Sequence, residues 1–193
     1  AGINIPTLCY LKDVNAIGAC RVCLVEVKGS KALQPSCVYP VSEGLEVQTN
    51  TAKVREARKA VVELLLSNHP ADCLKCVRSG NCELQKLCHD YGVDENAFDG
   101  FKPEYEIDDS TPHLVRDNNK CILCGLCVRT CNEVSKTENL GLFGRGFGTV
   151  PVTAFNLPLG ESNCVSCGAC VNTCPTGALT SKTPTAKNIV LPF

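Results

Sequence analysis

Sixteen of the 193 residues are cysteine, and they fall into four groups of four: Cys9, Cys20, Cys23 and Cys37; Cys73, Cys76, Cys82 and Cys88; Cys121, Cys124, Cys127 and Cys131; Cys164, Cys167, Cys170 and Cys174. The last two groups read C-x2-C-x2-C-x3-C. In that run three close cysteines hold one [4Fe–4S] cube and the fourth holds the neighbouring cube. The crossed pattern puts Cys121, Cys124, Cys127 and Cys174 on one cube. It puts Cys164, Cys167, Cys170 and Cys131 on the other. Pro175 follows Cys174 as the run expects, whereas Asn132 follows Cys131 and departs from it. A pair of structural zinc sites is the competing reading. Zinc takes a single tetrahedron, usually built from two separated CxxC pairs, and three cysteines at consecutive x2 spacing suit it poorly.

The first group reads C-x10-C-x2-C-x13-C. Four thiolates on a loop beside a small sheet can hold one [2Fe–2S] cluster or one zinc, and the spacing leaves both open. Gly18 and Ala19 are small enough to let backbone amides approach the sulfurs, and such hydrogen bonds raise a cluster's potential. The second group is preceded by a histidine, as His69-x3-Cys73-x2-Cys76-x5-Cys82. A neutral imidazole is a competent iron ligand and would lower the site's negative charge. Cys88 offers a four-cysteine alternative, and a histidine before Pro70 also suits a plain helix terminus.

Other motifs carry less. Gly144-Arg145-Gly146-Phe147-Gly148 has Thr149 where a phosphate loop needs its third glycine, so it reads as a turn between the two ferredoxin-like halves. His89 and His113 stand in polar segments and read as surface residues. No haem-attachment motif, nucleophile–base pair or other catalytic set is visible, so the chain by itself is expected to turn over no substrate.

The cysteines come in CxxC steps, which suit chelation better than long-range crosslinks and point to a cytoplasmic protein. No apolar run is long enough to span a membrane. The formal charge of −1 offers no basic surface for nucleic acid. Four-thiolate clusters add about −2 each and a histidine-ligated one about −1, taking the loaded protein to roughly −8. The chain starts at Ala1, contains no methionine and stops soon after a cysteine run, as expected of a fragment of a longer polypeptide.

The elements that must position these donors follow from periodicity. Arg21 to Val27 alternates as a strand, Lys28-Gly29-Ser30 reads as a hairpin turn, and Gly44 to Thr49 reads as a second strand. Val54, Ala57, Val61, Leu64 and Leu65 recur at helical spacing after an N-cap at Asn50 or Thr51. Lys53, Arg55, Arg58 and Lys59 are then its solvated face. The helix is expected to end near Asn68, since Pro70 restrains His69. A short helix is expected over Cys82 to Tyr91. Residues 99–113 read as a linker. A shift of 43 residues maps the third cysteine group onto the fourth, an internal repeat.

Three stretches carry a family resemblance: Thr7-Leu8-Cys9-Tyr10-Leu11 with Gly18 to Val27; Ser67-Asn68-His69-Pro70 through Gly80-Asn81-Cys82-Glu83-Leu84-Gln85; and Arg116-Asp117-Asn118-Asn119-Lys120-Cys121-Ile122-Leu123-Cys124. They resemble the N-terminal iron–sulfur region of NADH-dependent, often electron-bifurcating, [FeFe]-hydrogenases and NAD-dependent formate dehydrogenases. The same region opens the large iron–sulfur subunit of respiratory complex I. The resemblance covers nearly the whole chain.

It implies that Cys9, Cys20, Cys23 and Cys37 hold [2Fe–2S], and that His69, Cys73, Cys76 and Cys82 hold a [4Fe–4S], leaving Cys88 outside. The implied fold class is α+β. A truncated β-grasp [2Fe–2S] ferredoxin-like domain spans 1–48, with the family's opening hairpin absent. A small helical histidine-cluster domain with its linker spans 49–113, and a bacterial two-[4Fe–4S] ferredoxin-like domain spans 114–193. The complement is one [2Fe–2S] and three [4Fe–4S] clusters. The implied partners are a flavin- and NAD(H)-binding iron–sulfur subunit, a catalytic domain or subunit, and a ferredoxin. The second complete cysteine run favours the hydrogenase and formate dehydrogenase side over complex I. An iron–sulfur subunit of a transhydrogenase, a [NiFe]-hydrogenase or complex I is the alternative within redox proteins, and a zinc-stabilised structural module is the alternative outside them.

Overall fold

A computed structural model describes residues 2–94, 98 and 100–183. The chain is a mixed α/β assembly of small ferredoxin-like units around two apolar clusters. Near the N-terminus, Val25 and Val27 point inward from strand β1 (Leu24–Val27). β1 pairs antiparallel with β2 (Gln34–Pro35) on one side and β3 (Val47–Gln48) on the other. The strand is shorter than the alternation of residues 21–27 predicts, because Arg21 sits at φ 58 in the left-handed region and turns the chain first.

Helix α1 (Ala52–Ser67) follows. Its N-cap is Thr51, whose hydroxyl accepts from the Val54 amide at 3.2 Å and donates to the Glu26 carboxylate on β1. The helix ends at Asn68, as the proline at 70 predicts. Its buried face is Val54, Arg58 and Val62. Here the expected solvated face is corrected. Lys53, Arg55 and Lys59 are exposed, but Arg58 is 4% exposed, while Leu64 is out in solvent. The Arg58 guanidinium donates to the Leu24 carbonyl at 2.7 and 3.2 Å and to the Tyr91 hydroxyl at 3.3 Å. A long stem with a planar donor fork can lie along apolar surface and still satisfy its head.

Helix α2 (Glu83–Tyr91) starts directly after Cys82 and ends at Gly92, in the left-handed conformation at φ 60. The Gly92 and Val93 amides fold back to the last helical carbonyls. α1 and α2 enclose the first apolar cluster, with Leu8, Val22, Val62, Leu84, Leu87 and Leu126 at its centre.

The later residues form the repeat. β4 (Leu114–Arg116) pairs antiparallel with β7 (Leu179–Ser181), closing the two ends of this unit on each other. Helix α3 (Leu126–Arg129) continues as one π-type turn over Thr130–Val134, and α4 (Ala169–Thr173) is its counterpart. The backbone repeats in detail. Leu123 and Ser166 stand at φ 54 and 53, and Gly125 and Gly168 at 69 and 73. Thr130 and Thr173, equivalent in the two halves, meet at 3.2 Å through their hydroxyls. Between the halves, β5 (Gly141–Phe143) and β6 (Val150–Val152) form a hairpin around the glycine-rich turn. A Cβ at Gly144 would lie 2.2 Å from the Gly148 carbonyl oxygen, so this turn closes on itself.

Within the expected linker, residues 105–111 are built into the repeat unit. Asp108 bridges to Arg116 through backbone and side chain, with the ion pair at 3.0 Å. Asp108 also accepts from the Leu159 amide, and the Ser110 hydroxyl accepts from Gly160. Residue 99 of the linker and residues 184–193 of the last unit lie outside the described residues.

Candidate metal centres

All sixteen cysteines are free thiols. Among the described residues, no three His, Cys, Asp or Glu side chains converge tightly enough to hold a single metal ion. In three of the four sets the thiols ring cavities instead.

The loop before β1, with Cys9, Cys20 and Cys23, and the segment just after β2, with Cys37, gather the first set. Cys9, Cys20 and Cys23 are buried and Cys37 is half-buried. The Cys20 amide donates to the Cys9 sulfur at 3.3 Å, and the Cys23 and Cys37 sulfurs lie 3.4 Å apart. The Cys20 thiol, by hydrogen bonding, pulls Cys9 down to about 6 against the effect of burial. The same bond, with burial, pushes Cys20 up. Burial and the Cys23 thiol raise Cys37 to about 11. Four sulfurs paired two and two, with backbone amides aimed at Cys9, fit a diiron group.

The second set lines a cavity of about 490 Å3 between the end of α1 and the start of α2. His69, Cys73, Cys76 and Cys82 all reach it, and Cys88 on α2 reaches it too. Burial, aided by the Lys120 charge, lowers His69 to about 4. The imidazole is therefore neutral, the form that binds metal. Its Nδ1 is buried without a hydrogen-bond partner. Burial raises Cys82, and burial with the nearby Cys73 raises Cys88 to about 11. An orphaned ring nitrogen among soft sulfur donors fits an iron–sulfur group.

The repeat makes the other two cavities, and each draws donors from both halves. One is lined by Cys121, Cys124, Cys127 and Cys174. The other is lined by Cys164, Cys167, Cys170 and Cys131. Burial raises Cys121 to about 11 and Cys124 to about 12, and it raises Cys127 strongly. In the second cavity burial, then Cys164 and Cys167, raise Cys170 to about 12. Thiols raised in this way by burial and by their neighbours, as Cys121, Cys124, Cys127 and Cys170 are, need a cationic occupant to be held as thiolates.

The cavities are close neighbours. Cys20 of the first set acts electrostatically on Cys124. A Cβ at Gly125 would lie 3.2 Å from Ile17. Buried Arg129, on α3, donates to the Asn15 and Cys9 carbonyls. On the other side, Pro175 directly follows Cys174. Its carbonyl accepts from the Glu83 amide at 2.9 Å and lies 3.6 Å from the Cys82 sulfur. A Cβ at Gly177 would sit 3.1 Å from the Cys76 sulfur. Ligand spacing alone does not reveal Arg129, Lys120 or Arg78 as parts of these sites. For Arg78, its position between Cys76 and Cys82 is the available signal. His89 and His113 are exposed, as expected.

Known proteins match this chain region by region. Residues 1–52 match the 2Fe-2S iron-sulfur cluster binding domain. Residues 58–97 match the NADH-ubiquinone oxidoreductase-G iron-sulfur binding region. Residues 120–178 match the 4Fe-4S dicluster domain. A subunit of the NADP-reducing hydrogenase of Solidesulfovibrio fructosivorans is 45% identical over 92% of this chain and 31% of its own length. The alpha subunit of the NADPH-Fe(3+) oxidoreductase of Geobacter sulfurreducens is 40% identical over 94% of this chain and 21% of its own. The 75 kDa subunit of the NADH-ubiquinone oxidoreductase of Reclinomonas americana is 40% identical over 94% of this chain and 26% of its own. The chain thus spans less than a third of the length of these relatives. In the crystal structure of an NAD+-reducing [NiFe]-hydrogenase in the H2-reduced state, one chain superposes with a TM-score of 0.87 at 34% identity. The match covers 98% of this chain and 79% of that one.

Proposed function

The chain belongs to the iron–sulfur electron-transfer family shared by NAD(P)-linked hydrogenases and the large iron–sulfur subunit of NADH–quinone oxidoreductases, and from that membership we propose the detailed assignment of its sites and partners. It carries one [2Fe–2S] and three [4Fe–4S] clusters. Cys9, Cys20, Cys23 and Cys37 hold the first. His69, Cys73, Cys76 and Cys82 hold the second. Cys121, Cys124, Cys127 and Cys174 hold the third, and Cys164, Cys167, Cys170 and Cys131 the fourth. The units run from 1–48 as a truncated β-grasp, 49–113 around the histidine site, and 114–193 as the two-cube ferredoxin. The stretch 105–111 serves the last of these rather than acting as a spacer.

One observation carries the reading: each repeat cavity is lined by three cysteines of one run and the last cysteine of the other. The two-cube spacing demands that crossing, whereas a zinc module would gather its own four ligands locally.

When bound, the clusters supply one-electron carriers. The chain's residues supply soft donors, exclude water and bring the sites close. Cys121, Cys124, Cys127 and Cys174 stand at the junction, with Arg129 and Cys9 on one side and Pro175 and Cys82 on another. Electrons pass between a flavin- and NAD(H)-binding partner, or a ferredoxin, and a catalytic domain or subunit that reduces protons, oxidises formate or reduces NADP. The cysteine usage suits the cytoplasm. Among the described residues no helix is long and apolar enough to cross a membrane.

Metal analysis of the native assembly tests this. The cluster set predicts about fourteen irons per chain from this region alone. That count without molybdenum or tungsten favours a hydrogenase or transhydrogenase. Added molybdenum or tungsten favours formate dehydrogenase. A few zincs with little iron would sink the electron-transfer reading.

A further inference from the structure

Arg78 is the most completely enclosed charged side chain among the described residues, 1% exposed. It stands on the loop between Cys76 and Cys82 and lines the histidine cavity. The loop is stiff: the Ser79 amide donates to Cys76, the Asn81 amide to Arg78, and the Gly80 amide to the Gln85 side chain. Nε of Arg78 donates to the Asn81 carbonyl at 2.9 Å. Nη1 is buried and has no partner. Among the described residues no carboxylate forms an ion pair with this guanidinium.

An arginine cannot shed its proton to escape such a site. A buried cation without an anion is strongly disfavoured. The compensating charge must therefore come from whatever fills the cavity beside it. A cube held by three thiolates and one imidazole carries about −1 when oxidised and −2 when reduced. It also presents sulfur acceptors to a free N–H. Lys120 and Gly177 flank the same region, and Gly177 brings its backbone against the Arg78 stem, with a Cβ position 3.6 Å from Cγ.

We propose that Arg78 is the charge partner of the group held by His69, Cys73, Cys76 and Cys82, donating from Nη1 and raising that group's reduction potential. The proposal rests on the ligand assignment given above. In the one-electron reduction it affects, the cluster gains a negative charge while the guanidinium keeps its proton. The fixed cation stabilises the reduced form more than the oxidised one. The histidine ligand lowers the site's negative charge, and Arg78 acts on the potential in the same direction.

The test is a redox titration followed by electron paramagnetic resonance on the full-length protein in its complex, comparing wild type, Arg78→Met, Arg78→Lys and His69→Ala. Arg78→Met should keep its iron and move one midpoint potential negative, with the others unchanged. Arg78→Lys should move the same potential less. If Arg78→Met loses four irons, retention of the cluster and most of its potential in Arg78→Lys still supports a charge role. An unmoved potential in iron-replete Arg78→Met overturns the proposal, as does loss of the cluster in both variants, which would mark Arg78 as a packing residue. If His69→Ala alters one signal and Arg78→Met none, only this proposal fails. If His69→Ala alters none, the ligand assignment fails instead.

Discussion

Arg58 and Cys88 illustrate how single side chains define this protein. Nε, Nη1 and Nη2 of Arg58 donate to the Leu24 carbonyl on β1 and the Tyr91 hydroxyl on α2, so one residue of α1 joins three elements. Arg58→Ala takes the donor from the half-buried Leu24 carbonyl and Tyr91 hydroxyl and should lower stability by about 2–4 kcal/mol, measured by denaturant titration of the holo-protein. Cys88 is a fifth donor in a cavity whose assigned ligands number four. Cys88→Ala should leave the iron content and every paramagnetic signal intact. Loss of a cube in that variant would transfer the fourth ligand role from His69 to Cys88.

Helix α1 and the strap before β4 make the element-scale predictions. Thr51→Ala removes the N-cap of α1 and its bond to Glu26, and should cost about 1 kcal/mol in the same titration. The strap depends on Asp108, whose side-chain exposure is only 10%, beside 7% for its partner Arg116. Burial would raise the Asp108 carboxyl, but bonds from Ser110 and Leu159 and the charge of Arg116 outweigh it and hold it below the ordinary 3.8. A carboxyl depressed on folding stabilises above its unfolded value and loses that contribution as pH falls through its folded value. Asp108→Asn should therefore cost about 3 kcal/mol at neutral pH, with the gap to wild type closing only below about pH 4. Amide exchange at Leu159 and Ser110, both donors to Asp108, reads this directly. The start of α1 to within one residue, at Asn50 or Thr51, and its end near Asn68 were legible because caps and proline are local rules. The strap was not, because its composition is that of a loop and its partners lie 51 residues away at Leu159. Arg58 was missed for a related reason: helical periodicity locates a face but cannot tell that a distant carbonyl waits for a guanidinium.

The whole molecule orders its sites by depth. Cys124, Cys127 and Cys174 are buried, whereas Cys167 is exposed and Cys164 and Cys170 are half-buried. The cavity that includes Cys167 should therefore lose its iron first under an oxidant or chelator, and four-iron loss should precede any change at the inner sites. Simultaneous loss from all sites would contradict this ordering. The same contrast gives meaning to the contact between Thr130 and Thr173. Equivalent residues of the two halves meet there, so the halves are alike in chain path although they differ in exposure. Perfect symmetry would make the two cubes equal in electron affinity and leave no preferred direction between them. Any difference between them must then come from the residues that break the symmetry: Asn132 opposite Pro175, Arg129 opposite Asn172, and the exposed Cys167 opposite the buried Cys124. Exchanging those few residues between the halves, rather than touching any cysteine, should shift the midpoint potentials of the two sites relative to each other.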